Sequence, residues 1–222
     1  MIETPTHTTE PIVTGSSVLG VQCVDGVVLA CDTLASYGSL ARFQRITRLH
    51  QPAPGVVIAG GGEYSDLQQL FRITDNIFRQ EFCQEDGYEL SPRALHSYLA
   101  RVLYGRRSRM DPLYNSLAVA GKGRFLGCID LYGTAFESEA VATGIGALLA
   151  LPLIRKQWHA ALAMDEGVRL LEECLRVLYY RDCRALRSVQ VAKVSDSGEV
   201  LISEPYELSN LQWKVAQAAE EV

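Results

Sequence analysis

No run of about 18 apolar residues, the minimum for a membrane span, occurs in this sequence, so no membrane partner is expected. Positive charge is also in short supply. Lys and Arg number 21 against 26 Asp and Glu, a formal net charge of −5. General nucleic-acid or anionic-surface binding needs a basic footprint, so no nucleic-acid partner is expected either. The one local basic run, 101–109 (RVLYGRRSR), reads as a solvated helix end or a subunit contact. The first residues, MIETPTHTTEPIVTG, contain no apolar core of a secretory signal. Cys23, Cys31, Cys83, Cys128, Cys174 and Cys183 form no CxxC pair, and His50, His96 and His159 share no metal-ligand spacing, so no metal site is expected. Scattered thiols without a secretory signal point to a reducing compartment, the cytoplasm and nucleus. Gly60-Gly61-Gly62 is followed by neither GK[ST] nor a G-x-G-x-x-G pattern, so it reads as a tight strand-to-helix junction rather than a phosphate loop. No cofactor is expected.

The 222 residues, 48% of them hydrophobic, suit one globular domain with a sizeable core. Residues 1–15 are rich in Thr and Pro and read as an extension. From Ser16 the pattern becomes strand-like: SSVLGVQC and VVLACDTL flank Asp25-Gly26, a good hairpin turn. Val56 to Ala59 predicts another strand, ended by the three glycines. Apolar residues from Tyr64 to Phe82 recur at helical spacing, and Ser91-Pro92 opens a second helix with an N-cap and a first-turn proline. Strands are expected over 116–120 and 125–131, helices from Gly144 and over 165–181, and a last strand pair over 189–194 and 200–202. Strand pairs alternating with helix pairs predict stacked sheets covered by helices, an α+β sandwich rather than a doubly wound sheet. Cys31 lies in the apolar run VVLAC and reads as an inert core thiol.

The hairpin SVLGVQCVDGVVLACDTLASYGSL, together with TTEPIVTGSSVLGV, YGSLARF, SPRALHSYLARVLYGRRSRMDPLYN and LRVLYYRDCRA, resembles the beta subunits of the eukaryotic 20S proteasome, and among them a non-catalytic member. The resemblance runs from about Thr8 to the tail. It implies the four-layer αββα sandwich of N-terminal nucleophile hydrolases. Active members use an N-terminal Thr whose hydroxyl attacks and whose α-amine is the base. An α-amine titrates at about 7.7–8.0, whereas an amide nitrogen has no usable basicity.

Alignment of Gly26 and Asp32 with the family hairpin puts Ser16 at the nucleophile position, inside the chain, with an amide nitrogen. The family's strand Asp is retained as Asp32, and its lysine corresponds to Arg48, which keeps the charge but cannot release a proton. The family's Gly-Ser-Gly reads Gly144-Ile145-Gly146, and its Asp-x-x-Ser reads Asp182-Cys183-Arg184-Ala185, so two hydroxyls are gone. The resemblance therefore implies no catalytic residue among Ser16, Asp32, Arg48, Ile145, Asp182 and Ala185. Asp32 and Arg48 are expected to form a buried ion pair fixing a sheet edge.

By the same resemblance the chain is a structural subunit that closes a ring, walls the degradation chamber, and binds beta subunits of its own and the opposite ring and alpha-ring subunits. The organisation expected is a 1–15 extension, a 16–203 domain and a 204–222 tail that contacts neighbours, with Trp213 as its anchor. Two rivals are an active Thr- or Ser-type peptidase and a stand-alone monomeric binding protein.

Overall fold

A computed structural model describes residues 10–85, 87 and 89–211. Seven strands come first: β1 Val13–Gly15, β2 Val18–Gln22, β3 Gly26–Asp32, β4 Ala35–Tyr37, β5 Leu40–Phe43, β6 Leu49–Ala53 and β7 Val56–Glu63. Helices α1 (Tyr64–Gln84) and α2 (Pro92–Ser108) follow, then β8 Asn115–Gly121, β9 Phe125–Ile129, β10 Ala135–Glu137 and β11 Ala140–Ala142. Three helices, α3 Gly146–Leu149, α4 Leu151–Gln157 and α5 Met164–Arg181, precede β12 Ser188–Ser195, β13 Val200–Ile202 and β14 Tyr206–Glu207.

The strands form two antiparallel sheets, one ordered β10-β9-β8-β7-β1-β4-β5 with β6 beside β7, the other β11-β2-β3-β12-β13 with β14 beside β12. Side-chain alternation along each strand assigns the layers. In β7, Val57 and Ala59 face the second sheet, where they meet Val27, Leu29 and Cys31 of β3. Val56 and Ile58, one residue out of phase, meet Leu67 and Leu70 of α1 and Leu95, Leu99 and Leu103 of α2. Across the molecule, Val28 and Ala30 pack under Leu171, Cys174, Leu175 and Leu178 of α5. Helices, sheet, sheet, helices: this is the αββα order expected. Because β3 is buried on both faces, its sequence GVVLACD shows no polar alternation.

The Asp25-Gly26 hairpin and the Ser91 N-cap are found where expected, the Ser91 hydroxyl accepting from the Ala94 amide at 3.1 Å. Four features differ. The last residues of the expected extension form β1, which lies between β7 and β4 in the middle of the first sheet. Strands β4, β5 and β6 occupy 35–53, a stretch without apolar alternation; Leu40 to Phe43 are exposed throughout, so burial wrote no pattern there. The three glycines continue β7 rather than ending it. A Cβ on Gly60 would strike Leu67, and Gly62, at φ +94°, lies against the Tyr114 carbonyl, so the residue type reflects close approach. Beyond 203, Tyr206 and Glu207 pair with β12, Leu208 is buried, and the Tyr206 hydroxyl donates to Glu172 Oε1 at 2.7 Å. Residues 204–211 thus pack on the domain rather than leaving it.

Burial pushes the thiols of Cys31 and Cys128 up to about 11 and those of Cys23 and Cys174 to about 12. These four stay protonated at neutral pH, whereas Cys83 and Cys183 are exposed. Native-state alkylation at pH 8 followed by peptide mass spectrometry should spare all four buried thiols until the chain is unfolded. Labelling of any of them in the folded chain would contradict this packing.

Candidate functional site

Arg48 is fully buried, 0% exposed, at the point where the two sheets and the start of β2 converge. The resulting cost of desolvation is met by using every face of the guanidinium. Its Nε donates to the Asp32 carbonyl at 3.0 Å, Nη1 to the Ser16 carbonyl at 2.8 Å and Nη2 to the Ser17 carbonyl at 3.2 Å. Nη2 also pairs with the Asp32 carboxylate, whose other oxygen accepts the Leu186 amide at 2.9 Å. The ion pair expected from the sequence is present. Its place differs: β3 lies between β2 and β12, so the pair clamps a central strand and not a sheet edge. Burial pushes the Asp32 carboxyl above its usual range, against the lowering effect of Arg48 and the Leu186 amide.

The structure brings Ser16, Asp32, Arg48, Asp182 and Ala185 together. Asp182 follows α5, accepts the Arg184 amide on Oδ1 at 2.9 Å, and receives the Ser16 hydroxyl on Oδ2. Ala185 lines, with Ser16, Asp32 and Leu178, a void of about 10 Å³. That is room for about one water molecule at most. Ile145 is not part of the cluster: it immediately precedes α3 and is 40% exposed. Its loop reaches the site through backbone instead, the Gly146 amide donating to Ser17 Oγ at 2.9 Å, while Thr143 Oγ1 accepts the Val18 amide at 2.9 Å.

Ser17, Thr143 and Glu63 were not singled out from the sequence. Ser17 ties the loop before α3 to the start of β2 by accepting the Gly146 amide. Glu63 ends β7, and its Oε2 accepts the Val13 amide at 3.0 Å and the Ile12 amide as well. Neither contact has a local sequence signal, because each partner is far along the chain. Trp213 lies outside the described residues. Among the described residues, no cluster of His, Cys, Asp or Glu could hold a metal ion, and no helix is long and apolar enough to cross a membrane.

Chemically, the cluster holds a hydroxyl beside a carboxylate. The Ser16 nitrogen is an amide joined to Gly15 of β1, and its carbonyl is committed to Arg48. These groups satisfy one another's hydrogen-bonding capacity, as structural polar networks do.

Leaving either member of the buried pair alone should be costly. Replacing Asp32 with Ala is expected to destabilise the chain by about 3–5 kcal/mol, since Arg48 remains buried and unpaired. The Asp32→Leu/Arg48→Leu double variant should lose less than the two single changes summed. Urea unfolding of the purified variants measures both, and additivity would deny the coupling.

The pattern of proteasome subunits matches residues 12–194. The chain is 42% identical over 215 residues to proteasome subunit beta type-4 of Xenopus laevis, covering 95% of this chain and 88% of the relative. The beta type-4 subunit of Arabidopsis thaliana is 40% identical over 205 residues, covering 91% and 83%. Proteasome subunit beta type-7 of Saccharomyces cerevisiae is 35% identical over 225 residues, covering 95% and 84%. The chain belongs to the proteasome subunit family, its similarity running to the beta subunits of type 4.

Proposed function

We propose that this chain is a non-catalytic beta subunit of the proteasome core particle, with an architectural role in protein degradation. The observation that carries this reading is Ser16. Its nitrogen is a peptide amide, and the residue before it belongs to a strand hydrogen-bonded on both sides. An N-terminal nucleophile needs hydroxyl and free amine on one residue. Here the Ser16 nitrogen is joined to Gly15, Arg48 stands in place of the lysine, and positions 145 and 185 carry no hydroxyl. Asp32, Arg48 and Asp182 support the fold around a position that does no chemistry.

Ring neighbours of one type of contact meet head-to-tail, and such a ring closes only when every interface has the right rotation. A subunit that contributes no chemistry still contributes that geometry. The partners implied are beta subunits of the same and the opposite ring and alpha-ring subunits, in cytoplasm and nucleus. Acidic net charge and the burial of its own polar network are compatible with a wall rather than a nucleic-acid or membrane contact.

Purified from its source, the chain should retain residues ahead of Ser16 and run in a particle far larger than its own 24.5 kDa. Ser16→Ala should leave all peptidase activities of that particle unchanged. A chain whose mature N-terminus is Ser16, or an activity lost with Ser16→Ala, would support the peptidase reading instead. A monomer would support the stand-alone binding protein.

The tail carries a second expectation. Residues 204–211 belong to the packed domain, so the informative truncation removes 212–222, Trp213 included. We expect it to slow the joining of half-particles, followed by native gel electrophoresis with time, while the chain itself folds normally. Unchanged assembly kinetics would remove the tail and Trp213 from the account.

A further inference from the structure

The arm ahead of Ser16 is held in a slot that the backbone alone does not complete. On one side β1 pairs with β4 as Val13↔Tyr37, Thr14↔Ser36 and Gly15↔Ala35. On the other, its pairing with β7 covers only Gly15↔Gly62 and Thr14↔Glu63, because at Tyr64 the chain turns into α1 and offers no further strand. The amides of Ile12 and Val13 point at this gap. A ladder that stops leaves such donors without partners.

The Glu63 side chain continues where the strand stops. It is 7% exposed, and its Oε2 accepts both amides. Its Oε1 accepts the Ser65 hydroxyl at 3.0 Å, which fixes the carboxylate's rotation. The Glu63 backbone is itself pinned from β8: its amide donates to the Tyr114 carbonyl at 3.0 Å and its carbonyl accepts the Asn115 side-chain amide at 2.8 Å. A buried carboxylate is tolerated only where donors converge on it, and three converge here. The arm supplies two of them.

We propose that Glu63 is a latch that holds the arm as an internal strand between β4 and β7, and thereby keeps the stretch leading into Ser16 in place. Glu63 is a positioning residue: it acts on the arm, and through the arm on Ser16. The proposal rests on the non-catalytic reading, since a chain cleaved before Ser16 has no arm to hold. The lock has three layers of different kinds. Backbone pairing secures Gly15 and Thr14, the Ser36 hydroxyl donates to the Thr14 carbonyl at 3.3 Å, and Glu63 secures Val13 and Ile12. The last two each depend on one replaceable side chain, and of these only Glu63 takes two arm amides.

The test is hydrogen–deuterium exchange by mass spectrometry on the full chain, in the assembly with which it is purified. In Glu63→Ala the peptide spanning 10–17 should exchange faster by on the order of tenfold or more, the scale of losing a partner for buried hydrogen-bonding groups. Peptides from α5 and β12 should exchange as in the wild type. Glu63→Gln, which keeps one oxygen acceptor and nearly the same shape, should lie between the two. Unchanged exchange at 10–17 in Glu63→Ala overturns the latch, and so does a rise spread equally over α5 and β12, which would mark Glu63 as a general packing residue. If Glu63→Ala fails to accumulate, Glu63→Gln decides alone: exchange at 10–17 equal to wild type overturns the latch. Intact mass of the same wild-type sample separates the two ideas. A chain starting at Ser16 defeats the non-catalytic reading and the latch together, whereas unchanged exchange in a chain that keeps its arm defeats the latch alone.

Discussion

One buried guanidinium organises this molecule. Arg48 takes hold of the Ser16 and Ser17 carbonyls, the Asp32 carbonyl and the Asp32 carboxylate, joining the entry to β2, the end of β3 and the segment leading into β6. In a low-dielectric interior a charge of this kind is tolerable only when its donors are all engaged. That requirement dictates the surroundings. The chain must present carbonyls toward one point from three segments, and it does so because β3 ends there, β1 passes into β2 there, and Gly15 leaves room for the Arg48 side chain.

The same bracket bears on chemistry. A lysine in this position would present one compact ammonium that can approach a nucleophile and lower its pKa. Arginine presents a planar fork whose directions are already spent on carbonyls and a carboxylate. Its charge is therefore consumed by structure. Asp182 behaves alike: it receives the Ser16 hydroxyl and an amide from its own turn, so the two oxygens are both occupied. With Ala185 lining a void of only about 10 Å³, the cluster is a packed junction.

Elements whose burial is periodic were legible in the sequence: the β2–β3 hairpin, the α1, α2 and α5 faces, and the β8–β9 and β12–β13 pairs all carry apolar residues at the spacing their layer demands. The stretch from Ala35 to Ala53 was not. Strand β4 is only three residues long, β5 lies exposed, and β6 contains a proline and an irregular register, so no pattern distinguishes them from loop. Strand β1 was hidden for a different reason. It is short, and its stability comes from β4, β7 and the Glu63 carboxylate, all distant in sequence. The ion pair of Asp32 and Arg48 was foreseeable because an Asp at the end of an apolar strand needs a cation; that it clamps a central strand was not.

By itself the sequence determined the layer order, the family, and the residue types at each position where chemistry would have to occur. Those follow from local information: hydrophobic period, cap residues, and the identity of side chains at matched positions. Only the tertiary structure decided how the retained polar groups are used, since hydrogen-bond directions are set by segments that meet in space from far along the chain. It made Ser17 the tie to the 143–146 loop, packed 204–211 on the domain, and drew the arm into the first sheet. It also brought forward Glu63, a carboxylate without any local signature, whose partners exist only once β7, β1 and α1 have come together.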